Sequence, residues 1–140
     1  MWTSQVVRIT KAPAAAIWAL WADVANWPRW DTDVISAVGK GPFEKGMKGV
    51  LKPKGGPKTR FVLTEVTALQ SFTSKSRLPL GSLQVAHSLR ITSAGLEVSH
   101  SATIKGPLTF LFSRIIGAKL AASQPQAIEQ LVALAEATEA

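Results

Sequence analysis

Between Ser82 and Ile104 the sequence alternates so regularly that few folds can accommodate it. In "SLQVAHSLRI" the residues Leu83, Val85, His87, Leu89 and Ile91 fall on one side, and in "LEVSHSATI" Leu96, Val98, His100, Ala102 and Ile104 do the same. A strand turns successive side chains to opposite faces, so a period of two marks two strands, each with one inner face. The other face carries Gln84, Ser88, Arg90, Glu97, Ser99 and Lys105, the polar complement expected where one side of an antiparallel sheet meets solvent. With the turn centred on Ser93 and Ala94, position 92 pairs with 95, and the same register sets His87 opposite His100.

The rest of the chain fits around this hairpin. Residues 3 to 11 predict a first strand, with Val7 and Ile9 on one side and Val6 and Arg8 on the other. Pro13 suits a first helical position, and Ile17, Leu20, Trp21 and Val24 share one helical face. Asn26 caps a second brief helical turn at "NWPRWDTDV", where a residue before proline is pushed toward extended backbone and the chain bends. Further strands are predicted from Val34 to Val38, Met47 to Lys52, Arg60 to Thr67 and Ser71 to Leu78, with "GKGPFEKG" as a flexible flap and Gly55-Gly56 as a hairpin tip. After Gly106-Pro107 the pattern turns helical: Leu108, Leu111, Phe112 and Ile115 form a face, and Ile128, Leu131, Val132 and Ala135 resume it. Pro125 predicts a kink or split, with Ser123 and Gln126 at capping-box spacing for a restart.

No repeat or linker divides the chain, so residues 1–140 read as a single domain. The element order is strand, two short helices, six strands and one long helix. A mainly antiparallel sheet has only that helix to cover its apolar face, so the helix must lie in the sheet's concavity. A curved sheet and a helix seldom meet along their whole length, which predicts a cavity between them.

This order, with "APAAAIWALWADVANWPRWDTDV" near the start and "GLEVSHSATIKGPL" before the long helix, resembles the START/Bet v1-like (SRPBCC) superfamily, and within it the polyketide cyclase/dehydrase-like small bacterial proteins. The resemblance implies an α+β helix-grip fold: a curved antiparallel sheet of six to seven strands wrapped round a long C-terminal helix, with two short helices after the first strand. It implies a pocket for a hydrophobic or polyketide-like small molecule. Relatives include cyclases, dehydratases and lipid carriers, so fold alone does not choose among them. In such proteins the Trp-Pro-x-Trp segment joins the short helices to the second strand. Two rings at a proline bend also bury a large area with few rotamers, so Trp27 and Trp30 are read as a packed corner that Trp21 can reach. Asp31 and Asp33 are read as exposed turn residues.

Composition narrows the chemistry. The chain has no cysteine and no tyrosine, which removes thiol nucleophiles, disulfides and phenol acid/base chemistry. Its net charge of +7 invites an anionic partner. Lys40, Lys45, Lys48, Lys52, Lys54, Lys58 and Arg60 cluster in one region with few aromatics, however, which argues against nucleic acid and suits strand edges kept from aggregating. The apolar run after Arg8 and Lys11 breaks at Asp23 and lacks a small-residue cleavage site, so an unprocessed cytoplasmic protein is expected. No window of about 18 uninterrupted apolar residues occurs, so no transmembrane helix is expected.

The candidate site follows from the inner faces. His87 and His100 are the only histidines; two imidazoles facing a cavity can orient a carbonyl-rich ligand or exchange a proton, and they are the candidate catalytic residues. Equally, each reads as a core histidine bonded to the other or to Ser74 or Ser76. Met47, Leu51, Val85, Leu89, Val98, Leu111, Phe112 and Ile115 are the candidate ligand-binding walls. Two histidines without a third ligand make no catalytic zinc site. No phosphate loop or dinucleotide fingerprint appears, so no cofactor is expected. Two classes of function remain: an enzyme that folds a poly-carbonyl chain for cyclisation or dehydration, and a non-catalytic carrier of lipid or another hydrophobic ligand, or an interaction module using the basic surface. Peripheral membrane contact is compatible with the apolar start of the last helix, near Arg114 and Lys119, and either a monomer or a homodimer is allowed.

Overall fold

The computed structural model describes residues 1–138. Seven strands form one antiparallel sheet: β1 (Trp2–Thr10), β2 (Val34–Lys40), β3 (Lys48–Pro53), β4 (Thr59–Thr67), β5 (Ser71–Leu78), β6 (Gly81–Thr92) and β7 (Gly95–Lys105). Their spatial order is β1-β7-β6-β5-β4-β3-β2, so β1 leaves the meander and closes beside β7. Helix α1 (Ala14–Ala22) and a 3₁₀ helix (Val24–Arg29) follow β1, and α2 (Thr109–Phe112) and α3 (Ala118–Thr138) complete the chain. This is the helix-grip architecture.

The β6–β7 register is the expected one: Thr92 pairs with Gly95 and His87 with His100. From that pair the inner face can be followed across the sheet. One cross-strand row runs Phe72, His87, His100, Val6. The next runs Leu63, Ser74, Val85, Ala102, Ser4. In β1 the inner residue is therefore Val6, while Val7 and Ile9 face outward and are 39% and 46% exposed.

The core is aromatic where the short helices meet the sheet. Ile17, Trp21, Val24, Trp27 and Trp30 are buried against Phe61, Leu63 and Phe72 from the strands and Ile128 and Leu131 from α3. Trp27 stacks on Phe61 at 5.5 Å and on Phe72 at 6.1 Å between ring centroids. Its indole N–H donates to the Trp21 carbonyl at 2.9 Å, which satisfies the polar end of a buried ring and fixes the bend before β2. The tryptophan pair is thus a packed corner, as expected. Asp31 differs from expectation. It is only partly exposed, its Oδ1 accepts the Asp33 backbone N–H at 3.1 Å, and burial raises its pKa to about 6.

Two other expectations are corrected. The "GKGPFEKG" loop is no free flap, because Phe43 meets Trp18 at 5.6 Å and Phe72 at 5.1 Å. Nor does the last helix split at Pro125, which lies inside a continuous α3; the Ser123–Gln126 restart is not used. The irregularity is a π-helical turn at Ser113–Gly117. There a β-carbon on Gly117 would sit 2.9 Å from the Trp2 ring, so a tertiary contact with β1, not a local breaker, coincides with the distortion.

Candidate functional site

The concave face divides into two halves. On one side of the histidine row, toward α1 and α3, it is filled. His87 and His100 are 7% and 1% exposed, and their rings meet edge to face at 4.7 Å. Phe72 stacks on His87 at 3.9 Å, while Trp21 and Trp30 lie 5.8 Å and 5.7 Å from His100. On the other side, toward the start of β6, the inner residues Ser74, Ser76, Leu83 and Val85, with Leu51 and Thr59 beyond them, stay only partly buried. In the same cross-strand rows Leu63, Ala102 and Ile104 are buried, so this half of the concave face is only partly covered. Two shallow concavities among the described residues lie outside the grip. One is beside Arg8 and Glu129, the other on the outer sheet face at Val38, Val50, Lys52 and Arg60.

The electrostatics of the pair are set by burial. His87 Nδ1 lies 3.3 Å from the Phe72 carbonyl oxygen; a carbonyl only accepts, so Nδ1 carries the proton of the neutral ring and Nε2 holds the lone pair. The bond goes to backbone rather than to Ser74 or Ser76. Desolvation, followed by the neighbouring His100, lowers the His87 pKa well below its ordinary value. Desolvation likewise lowers His100 to about 3. Both rings are therefore neutral at physiological pH. His100 Nε2 finds no hydrogen-bond partner within the described chain, and the same holds for the indole nitrogens of Trp21 and Trp30 and for Gln124 Oε1.

Each predicted site residue can now be located. Met47 and Val98 are buried in the core, 5% and 0% exposed. Leu51, Val85, Leu89 and Phe112 are half-buried, with Val85 on the side of the histidine row toward the start of β6 and Leu89 on the far side. Leu111 and Ile115 are 42% and 56% exposed and are not brought to the others. Sequence reasoning did not single out Gln124, although the pattern carried the signal: it lies one helical turn before Ile128 on the buried stripe of α3. No group of three or more metal-ligating side chains occurs among the described residues, and no helix among them is long and apolar enough to cross a membrane.

A seven-stranded antiparallel sheet gripping a C-terminal helix defines a protein of the helix-grip fold. The chain belongs to the polyketide cyclase/dehydrase and lipid transport family, whose model matches residues 1–136. No curated protein matches it. Among solved structures it is similar to protein MLL2253 from Mesorhizobium loti, at 17% identity and a TM-score of 0.76 over 98% of both chains. TTHA0849 from Thermus thermophilus shares 12% identity, with a TM-score of 0.74 over 99% of both. The di-domain ARO/CYC protein StfQ of the steffimycin biosynthetic pathway shares 17% identity, with a TM-score of 0.75 over 98% of this chain and 51% of that one. At such identities the likeness establishes the fold.

Proposed function

We propose that the protein binds an apolar or polyketide-like small molecule along the trough between its sheet and its C-terminal helix. The observation that carries this reading is the partly covered half of the concave face, where Leu51, Leu83 and Val85 remain partly exposed beside Ser74 and Ser76. Apolar surface of this kind supplies affinity through its removal from water, and the hydroxyls supply orientation. The family's description and the ARO/CYC label of StfQ support a ligand of this chemistry. In this reading Met47 and Val98 belong to the packed core beyond the histidine row, and Leu111 and Ile115 lie outside the trough.

The catalytic form of the reading assigns cyclisation or dehydration to the trough, with His87 or His100 moving a proton. The geometry favours binding without that step. Both rings are enclosed by aromatic side chains and held neutral, whereas an efficient general base has a pKa near the working pH. Within the proposal their role is to stiffen the trough's inner end. Native mass spectrometry of freshly purified protein tests the reading. A co-purifying hydrophobic molecule, displaced by an added apolar ligand, is the expected result. Protein that arrives empty and takes up no apolar ligand contradicts it.

A further inference from the structure

One end of the molecule gathers exposed apolar side chains that the fold does not need. Because all neighbouring strands are antiparallel, the starts of β2, β4 and β6 and the ends of β3, β5 and β7 lie together at this end, with the first residues of β1. The β5–β6 turn and the segment leading into α2 are locked there. A β-carbon on Gly81 would meet the Lys105 carbonyl oxygen at 2.1 Å, and one on Gly106 would meet the Leu80 carbonyl oxygen at 2.6 Å. On this scaffold Leu80 is 76% exposed, Phe110 67%, Ile115 56% and Leu111 42%. Leu80 also has φ of 58°, a left-handed conformation that glycine or asparagine adopts at less cost. Neither packing nor turn chemistry calls for a leucine there.

The charges around this patch are mostly positive. Arg77, Lys105, Arg114 and Lys119 are exposed at the same end, and none has a carboxylate partner among the described residues. Lys119 reaches only the Lys54 carbonyl, at 2.6 Å. Glu65, Glu97, Glu129 and Glu136 are held toward the opposite end, by Ser71, Arg90, Arg8 and Thr10 respectively. The nearby acids are Asp31 and Asp33 before β2. Asp31 is turned in, partly buried with a raised pKa.

We propose that this end docks on the surface of an anionic lipid bilayer, with Leu80, Phe110, Leu111 and Ile115 entering the headgroup boundary and the ring of cations meeting the lipid phosphates. Apolar insertion and attraction to anionic headgroups add in such binding. A second copy of the chain fits this end less well, because a two-fold contact sets the same cations against each other. The proposal stands on the surface alone and does not depend on the trough having a ligand.

Vesicle flotation tests it, with phosphatidylcholine alone and with phosphatidylcholine mixed with phosphatidylglycerol. The expected result is retention by the anionic vesicles and little by the neutral ones. Leu80→Asn with Phe110→Ser should weaken retention roughly tenfold or more. Lys105→Gln with Arg114→Gln should weaken it by about fivefold for each charge removed. All four side chains are exposed, so the variants are expected to fold, and circular dichroism checks this. Failure to bind either vesicle, equal binding to both, or binding unchanged in both variants overturns the proposal. So does a concentration-dependent dimer that Leu80→Asn with Phe110→Ser abolishes.

Discussion

Acidification should destabilise this fold through two residues. His87 and His100 are bases whose burial lowers their pKa in the folded state below the ordinary 6.5. Between the two values the unfolded chain holds more protons than the folded one, so stability is full above pH 6.5 and falls as the pH drops below it. While a folded ring stays neutral, the loss depends only on the unfolded value. Going from about pH 7 to about pH 5 therefore costs about 2 kcal/mol for each ring, about 4 kcal/mol for the pair. Asp31 acts in the opposite direction. Its folded pKa of about 6 lies above the ordinary 3.8, so protonation favours the folded state and returns about 1 kcal/mol over the same interval. The net loss is about 2–3 kcal/mol, a large share of the roughly 5–15 kcal/mol that holds a domain together.

Urea unfolding at the two pH values measures this loss directly, through the shift in midpoint at constant slope. His100→Gln should shrink the pH-dependent loss by about 2 kcal/mol, and Asp31→Asn should enlarge it by about 1 kcal/mol. Nuclear magnetic resonance of the imidazole protons in the folded wild type should show neither ring titrating between pH 5 and 7. A ring that titrates near 6.5 while folded, or a stability indifferent to pH in this range, refutes the reasoning.

Trp27→Ala removes two ring stacks and the hydrogen bond to Trp21 and should cost about 3–5 kcal/mol in urea unfolding. Gly81→Ala drives a β-carbon against the Lys105 backbone, which cannot swing aside, and should lower stability by about 1–3 kcal/mol. Leu80→Asn relieves a left-handed leucine and should raise stability by about 1 kcal/mol, read as a higher thermal midpoint; an unchanged or lower midpoint contradicts the account of that turn.

The strands and their register were legible because period-two alternation is a local signal that tertiary structure amplifies. The turn at Ser93-Ala94 was enough to place His87 opposite His100. The tryptophan corner was legible from ring size and a proline bend. What remained hidden depends on contacts between distant residues. The helix distorts at Ser113–Gly117, where Gly117 meets Trp2 from the other end of the chain, and nothing in the local pattern competes with the plain breaker at Pro125. Asp31 sits in a polar-looking loop, yet the fold buries much of it. Leu111 and Ile115 share a helical face with Leu108, but α2 is only four residues long and a π turn follows, so the helical period used to assign them inward did not apply. How far the terminal helix covers the inner face of the sheet depends on packing between distant residues, and periodicity carries no such information.

Binding of an apolar fluorescent probe to the wild type and to Val85→Trp, with Val38→Trp as a control on the outer face, tests the trough most directly. An indole at position 85 would stand on the partly exposed inner face between Ser74 and Ala102, where the proposed ligand lies, while one at 38 remains in solvent. Affinity that falls tenfold or more in Val85→Trp and holds in Val38→Trp is the predicted result. Equal affinity in all three proteins would place the ligand elsewhere and contradict the account.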